Sequence, residues 1–141
     1  MPRTRGFTLI ELMIVVVIIG ILAAILGPNM VAMVGRAREG ATKANMHTMM
    51  VAAEDYAISN NGFYSDALDA THIVDLLPVS YKNPFDNTQG DGNAWQYRAS
   101  VSADCPAKSG LVTYADSANN TYNIKGYGRI APITIVMTSG Q

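Results

Sequence analysis

Cysteine is nearly absent: Cys105 is the single one in 141 residues. One thiol closes no intrachain disulfide, and it supplies neither a CxxCH haem attachment nor a cysteine cluster for zinc. Cys105-Pro106 among small residues reads most simply as a partly buried thiol in a turn, with a covalent bond to another subunit as the sharper alternative. Charge is sparse too, 10 basic against 11 acidic residues for a net of −1. Lys125 and Arg129 flank Tyr127, but two charges do not make the basic stripe that phosphate backbones require, so direct nucleic-acid binding is not expected. Catalytic signatures are missing as well. No GxSxG, Walker A, HExxH or GxGxxG occurs, and Gly126-Tyr127-Gly128 is too short to cradle a phosphate. His47 and His72 have no cysteine or second histidine at ligand spacing. Glu54 and Asp55 are neighbours on a helix and point in different directions. The sequence predicts neither an enzyme nor a resident cofactor, and it contains no internal repeat.

What the chain does have is a long hydrophobic run. After Met1-Pro2-Arg3-Thr4-Arg5-Gly6 come Phe7-Thr8-Leu9-Ile10-Glu11-Leu12, and side chains stay apolar or small to Leu26. The twenty positions 7–26 make a helix of about 30 Å, the hydrocarbon thickness of a bilayer. Arg3 and Arg5 precede it and hold that end in the cytoplasm, so the remainder faces outward. Glu11 is the anomaly, because an unpartnered acid in an apolar span costs roughly 2.5–3.5 kcal/mol. A cut after Gly6 supplies a partner: Phe7 becomes the terminus, with a charged amine one helical turn from Glu11. The pair closes within one chain or between neighbours, and only the second drives assembly in register. The plainer alternative is a shallow Glu11 that snorkels to the interface. An ordinary secretory signal ending near Ala23-Ala24 leaves Glu11 unexplained. A simple single-pass anchor explains neither Gly6-Phe7 nor Glu11.

The stretch Gly6-Phe7-Thr8-Leu9-Ile10-Glu11 with its apolar continuation resembles the class III signal of type IV pilins and of the pseudopilins of type II secretion. The resemblance is specific over about the first thirty residues and covers the rest only in layout. It implies that a prepilin peptidase cuts after Gly6 and methylates the amine of Phe7. It also implies that Glu11 contacts the terminal amine of an adjacent subunit during filament growth. Pro28 falls where family members often carry a helix-breaking proline. The implied fold is a long N-terminal helix, half protruding and half packed on a sheet. The implied partners are further copies in a helical filament, the peptidase, an inner-membrane platform protein and an assembly ATPase. The single cysteine departs from pilins that close a C-terminal loop with a disulfide.

Read in order, the chain supports an α+β fold. Pro28 lacks an N–H and crowds the carbonyl four residues earlier, so a kink is expected there, with the helix resuming through 30–39. Positions 36–59 are amphipathic: Met46, Met49, Met50, Ala53 and Ala57 share a side, with Lys43, His47, Glu54 and Asp55 elsewhere. Ser59-Asn60-Asn61-Gly62 closes a helix of about 80 Å. Phe63-Tyr64 resembles the family's helix-to-loop junction, where an aromatic pins the connection. A helical turn is expected at 72–77, then a loop bracketed by Pro78 and Pro84. Strands are expected at 95–101, 110–115, 121–127 and 133–137, with Asn119-Asn120 supplying the positive φ of a hairpin and a bend around Gly126 and Gly128. Three or four of them form an antiparallel sheet on the amphipathic half of the helix. Asp86, Asn87, Asp91 and Asn93 offer oxygens to calcium, which some pseudopilins bind. Their spacing fails the D-x-[DN]-x-[DN]-G pattern, so a solvated turn is preferred.

The expected organisation is a leader at 1–6, a membrane or filament-core helix at 7–35, and a globular head at 36–141. Its expected function is that of a structural subunit of a type IV pilus or similar filament, made as a single-pass inner-membrane precursor and then carried to the periplasm or cell surface. A type II secretion pseudopilin is the first alternative and a membrane-anchored binding module the second.

Overall fold

The computed structural model describes residues 6–66, 68, 71–117 and 120–139, with Pro28 described in its backbone only. Two compact units divide the chain, Met1–Gly35 and Arg36–Gln141. One helix, α1 (Leu9–Ser59), begins in the first unit and ends in the second, and its backbone is helical at position 28. In the first unit its side chains from Leu9 to Leu26 are exposed. That stretch is long and apolar enough to cross a membrane.

In the second unit α1 buries one stripe. Thr42, Met46, Met49, Ala53 and Ala57 recur at three- and four-residue spacing and are at most 5% exposed, the pattern of a helix laid on a core. Its end follows the expected chemistry. The Gly62 N–H donates to Ala57 O at 2.8 Å, with Asn61 at φ 56° and Gly62 at φ 85°. The left-handed glycine lets the chain turn off the last carbonyls without a Cβ clash. A 3-10 turn, Val74–Leu76, lies inside the 72–77 stretch where a helical turn was expected.

Four strands follow: β1 (Trp95–Tyr97), β2 (Val112–Ser117), β3 (Thr121–Gly126) and β4 (Met137–Thr138). They lie side by side in chain order. The β2–β3 hairpin pairs Val112 with Gly126 at one end and Ser117 with Thr121 at the other. Asn120, at φ 53°, carries the positive angle in its turn, whereas Asn119 lies outside the described residues. The expected α+β class holds, with one correction. The sheet is mixed instead of wholly antiparallel, since β1 runs parallel to β2. A parallel pair needs a long return connection, and residues 98–111 provide it, gathered by the buried Arg98. The first strand is therefore shorter than 95–101. The last is also reduced: around Pro132, which has no N–H to give a ladder, pairing shrinks to an isolated bridge with Tyr127.

Alternation along β2 and β3 makes two different faces. Val112, Tyr114, Tyr122 and Ile124 join Met46, Met49 and Ala53 in the core, with Ile73, Tyr81 and Ala94 beside them. Full burial of a Met or Ile contributes about 1.5–3 kcal/mol. Gly126 lets β3 approach the helix, because a Cβ there would come within 2.7 Å of Met46 Sδ. Thr113, Asn123 and Lys125, at the alternate positions, face the other way. Their contacts are with Arg98 and its loop.

Candidate assembly site

The N-terminal segment places Gly6, Phe7 and Thr8 just ahead of α1, with Phe7 87% exposed. Thr8 and Glu11 form a reciprocal cap. The Thr8 N–H and hydroxyl both donate to Glu11 Oε2 at 2.8 Å, and the Glu11 N–H donates to Thr8 Oγ1 at 3.3 Å. This is the Thr-x-x-Glu capping box, which satisfies helix N–H groups that have no carbonyl of their own. The spacing was visible in the sequence, although Glu11 was read there as a charge that either pairs with an amine or snorkels to the interface, and not as a capping partner. Among the described residues nothing donates to its second oxygen, Oε1. The carboxylate is thus held by one oxygen at the helix start. Glu11 lies on exposed helix within an apolar surface, and Pro28 lies further along α1.

In the second unit, Glu54 has a structural task that sequence reading missed. Its Oε1 accepts the Tyr122 hydroxyl at 2.7 Å and its Oε2 the Tyr64 hydroxyl at 3.1 Å. Tyr64 also meets Tyr122 edge-on at 4.7 Å. The aromatic pinning the helix-to-loop junction is therefore Tyr64, while Phe63 remains 66% exposed. Burial, and then the Glu54 carboxylate, push the Tyr122 hydroxyl well above the usual tyrosine range.

Arg98 is 4% exposed and lies against the outer face of the sheet. Its Nε donates to Thr113 Oγ1 at 2.8 Å and its Nη1 to Ser100 O at 3.1 Å and Ala103 O at 2.6 Å. Its Nη2 donates to Asn123 O at 3.2 Å and to Asn123 Oδ1. Lys125 Nζ adds a bond to Ala103 O at 2.8 Å. The fork of the guanidinium suits this task, since it presents several donors in fixed directions to a ring of carbonyls. Nothing in composition or spacing marked Arg98. Cys105 follows in the same loop, 7% exposed and with Sγ 4.0 Å from Leu111 O. Burial pushes its thiol up, which disfavours the reactive thiolate.

The loop weighed for calcium, and read in preference as a solvated turn, has its oxygens engaged from within the chain. Lys108 Nζ donates to Gly92 O at 2.9 Å and Asn93 Oδ1 at 2.6 Å. Asp86 accepts from the Thr88 N–H at 3.0 Å and the Thr88 hydroxyl at 2.6 Å; these bonds, and then Lys108, hold its carboxyl below the usual range. Asn87 turns at φ 61°, and Asp91 bridges to Trp95. The buried Asn83 ties the loop down through Asn93 O at 3.0 Å and Ser109 O at 2.8 Å. Among the described residues no three His, Cys, Asp or Glu side chains gather closely enough to hold a metal ion. His72 lies 3.7 Å from Asp66 and 5.7 Å, ring to ring, from Tyr56, whereas His47 is exposed on α1.

Comparison with known proteins agrees with the resemblance carried by residues 6–11. Residues 1–27 match the prokaryotic N-terminal methylation motif. The type IV major pilin protein PilA of Myxococcus xanthus is 38% identical over 109 residues, 77% of this chain and 43% of that protein. The type IV wide pilus major component PilA4 of Thermus thermophilus is 44% identical over 66 residues, 47% of this chain and 50% of that one. The type II secretion system core protein G of Pectobacterium carotovorum is 35% identical over 63 residues, 45% of this chain and 40% of that one. The chain thus spans about half, or less, of the length of these relatives. No solved structure matches it. The chain carries the prokaryotic N-terminal methylation motif and is a relative of type IV major pilins and of the type II secretion pseudopilin, core protein G.

Proposed function

We propose that this chain is a structural subunit of a type IV pilus or pilus-like filament. One observation carries the reading: Glu11, held by Thr8 at the start of an exposed apolar helix, lies inside the stretch that matches a methylation motif. In this reading residues 1–6 are a leader, 7–35 first span the inner membrane with the N-terminus cytoplasmic and later line the filament core, and 36–141 form the head. A prepilin peptidase cuts after Gly6 and methylates Phe7. Glu11 then takes the Phe7 amine of a neighbouring copy through Oε1, while Thr8 keeps Oε2. Charge pairing of this kind is strong in a dry, low-dielectric setting and fixes register more than it adds affinity.

Moving the apolar helix from lipid to a helical bundle costs little, because the bundle interior is as apolar as lipid tails. Pro28 bends the helix where neighbours satisfy the freed carbonyl. Extraction from the membrane requires work, which the resemblance assigns to an assembly ATPase acting through an inner-membrane platform protein. Similarity to core protein G supports a second reading, a pseudopilus subunit, although that match covers 45% of this chain against 77% for the Myxococcus major pilin.

Glu11→Ala should abolish filament incorporation while the same amount of protein fractionates with the membrane. N-terminal sequencing of wild-type filaments should begin at Phe7. A Glu11→Ala subunit that enters filaments as readily as wild type would show that the carboxylate does not pair, and a mature chain still beginning at Met1 would remove the amine from the scheme.

A further inference from the structure

Charge is segregated along the head. Between Lys43 and Lys82 the sequence has no Lys or Arg, yet Glu54, Asp55, Asp66, Asp69 and Asp75 all fall there. This polarity coincides with two separate apolar surfaces. The first is a groove on α1 away from its buried stripe, where Val51, Ile58 and Leu76 are 52%, 80% and 42% exposed and Asp55 joins the lining. Glu54 and His47 line it too, but Glu54 is already engaged by two tyrosines. The second surface surrounds the turn after β3, where Ile130 is 78% exposed, with Ala131 and Pro132 beside it and Ile135 close in sequence. Lys43 and Arg129 are exposed there. Glu39 is the acid on that surface, and its Oε1 already accepts the Arg129 N–H at 3.1 Å.

Exposed apolar patches of this kind mark interaction sites, and the chemistry of these two selects the partner. Each carries a charge sign that repels its own copy and attracts the other patch. That favours a heterologous contact over a two-fold contact of either patch with itself, and a heterologous contact continues as an open helical array when the rotation does not close. We propose that the acidic groove of Val51, Asp55 and Ile58 on one copy receives the basic turn of Arg129 and Ile130 on the next. The proposal rests on the filament reading above and names the head-to-head contact within it. Apolar burial supplies the affinity, and the charges choose the register, because exposed ion pairs contribute little by themselves. Copies inserted in one membrane in one orientation are parallel. The patches meet α1 about ten residues apart, so docking staggers successive copies by roughly 15 Å along the helix.

Cys105 is buried, so introduced surface cysteines report alone. Filaments of the full-length I58C/I130C variant, mildly oxidised, should dissolve in detergent as a ladder of covalent dimer, trimer and longer species. Each single variant should stay monomeric. A double variant that assembles yet remains monomeric overturns the proposal, and so does I58C dimerising by itself. If the cysteine pair fails to assemble, charge reversal decides. D55R and R129D should each lower filament yield at least fivefold at equal membrane insertion, and D55R/R129D should recover most of it. Single variants without effect, or a double variant without recovery, overturn the contact. Wild-type protein that forms no filament at all refutes the filament reading instead.

Discussion

At the scale of single residues, the side chains with the most demanding roles are polar ones in dry places. Arg98 is a buried cation whose partners are mostly backbone carbonyls, so its loss leaves several acceptors without donors. An unsatisfied buried acceptor costs about 1–3 kcal/mol. Arg98→Met should lower stability by about 3 kcal/mol in thermal denaturation of the full chain in detergent, and it should open residues 98–111 to limited proteolysis. Unchanged melting and unchanged cleavage would mean that the ring of bonds does not hold the loop. Glu11 and Glu54 illustrate the limits of reading residues one by one. The need for a partner at Glu11 follows from its apolar setting, whereas its capping bonds with Thr8 were not read from the sequence. That Glu54 receives two tyrosine hydroxyls was not legible, because Tyr64 and Tyr122 are brought together only by the fold.

At the scale of elements, α1 and the β2–β3 hairpin follow from periodicity and turn chemistry; α1 ends at Ser59 and β3 starts at Thr121 as expected, while β2 runs two residues later than the expected 110–115. The direction of β1 did not follow, because strand alternation is the same for parallel and antiparallel neighbours. Direction is set by how the connection returns, here through carbonyls collected by one arginine. The 83–93 loop is a second case. Its acids and amides offered oxygens to a cation, and the cation at Gly92 and Asn93 is the ammonium of Lys108, fifteen residues beyond Asn93. Calcium added to the wild-type protein should therefore leave its melting temperature unchanged. Lys108→Met should lower stability by about 2 kcal/mol, since hydrogen bonds from a charged donor are worth about 1.5–3 kcal/mol. A clear rise in melting temperature with calcium in the wild type would show that the loop prefers the metal.

At the scale of the whole molecule, the two units have opposite relations to solvent. The helix of the first exposes its apolar side chains, whereas each residue in the core cluster of the second lies at position 46 or beyond. A fragment of residues 36–141 should therefore be soluble and should unfold cooperatively, with near-ultraviolet tyrosine dichroism like that of the full chain. A fragment with helix but no fixed tyrosine signal would mean that the first unit helps to set the core. The head also contains the two charged apolar surfaces. In the proposed filament, D55R should therefore lower assembly without touching the Glu11 contact.

The sequence by itself determined the apolar segment, the acid within it, the N-terminal methylation motif and the amphipathic half of α1. Each of these is local, written in composition or in spacing of a few residues, and so survives without knowledge of the fold. Tertiary structure alone decided the parallel first strand, the arginine that gathers its return loop, the lysine seated among loop oxygens and the tyrosine pair on Glu54. Those depend on residues far apart in the chain reaching hydrogen-bond distance, a relation that periodicity does not encode.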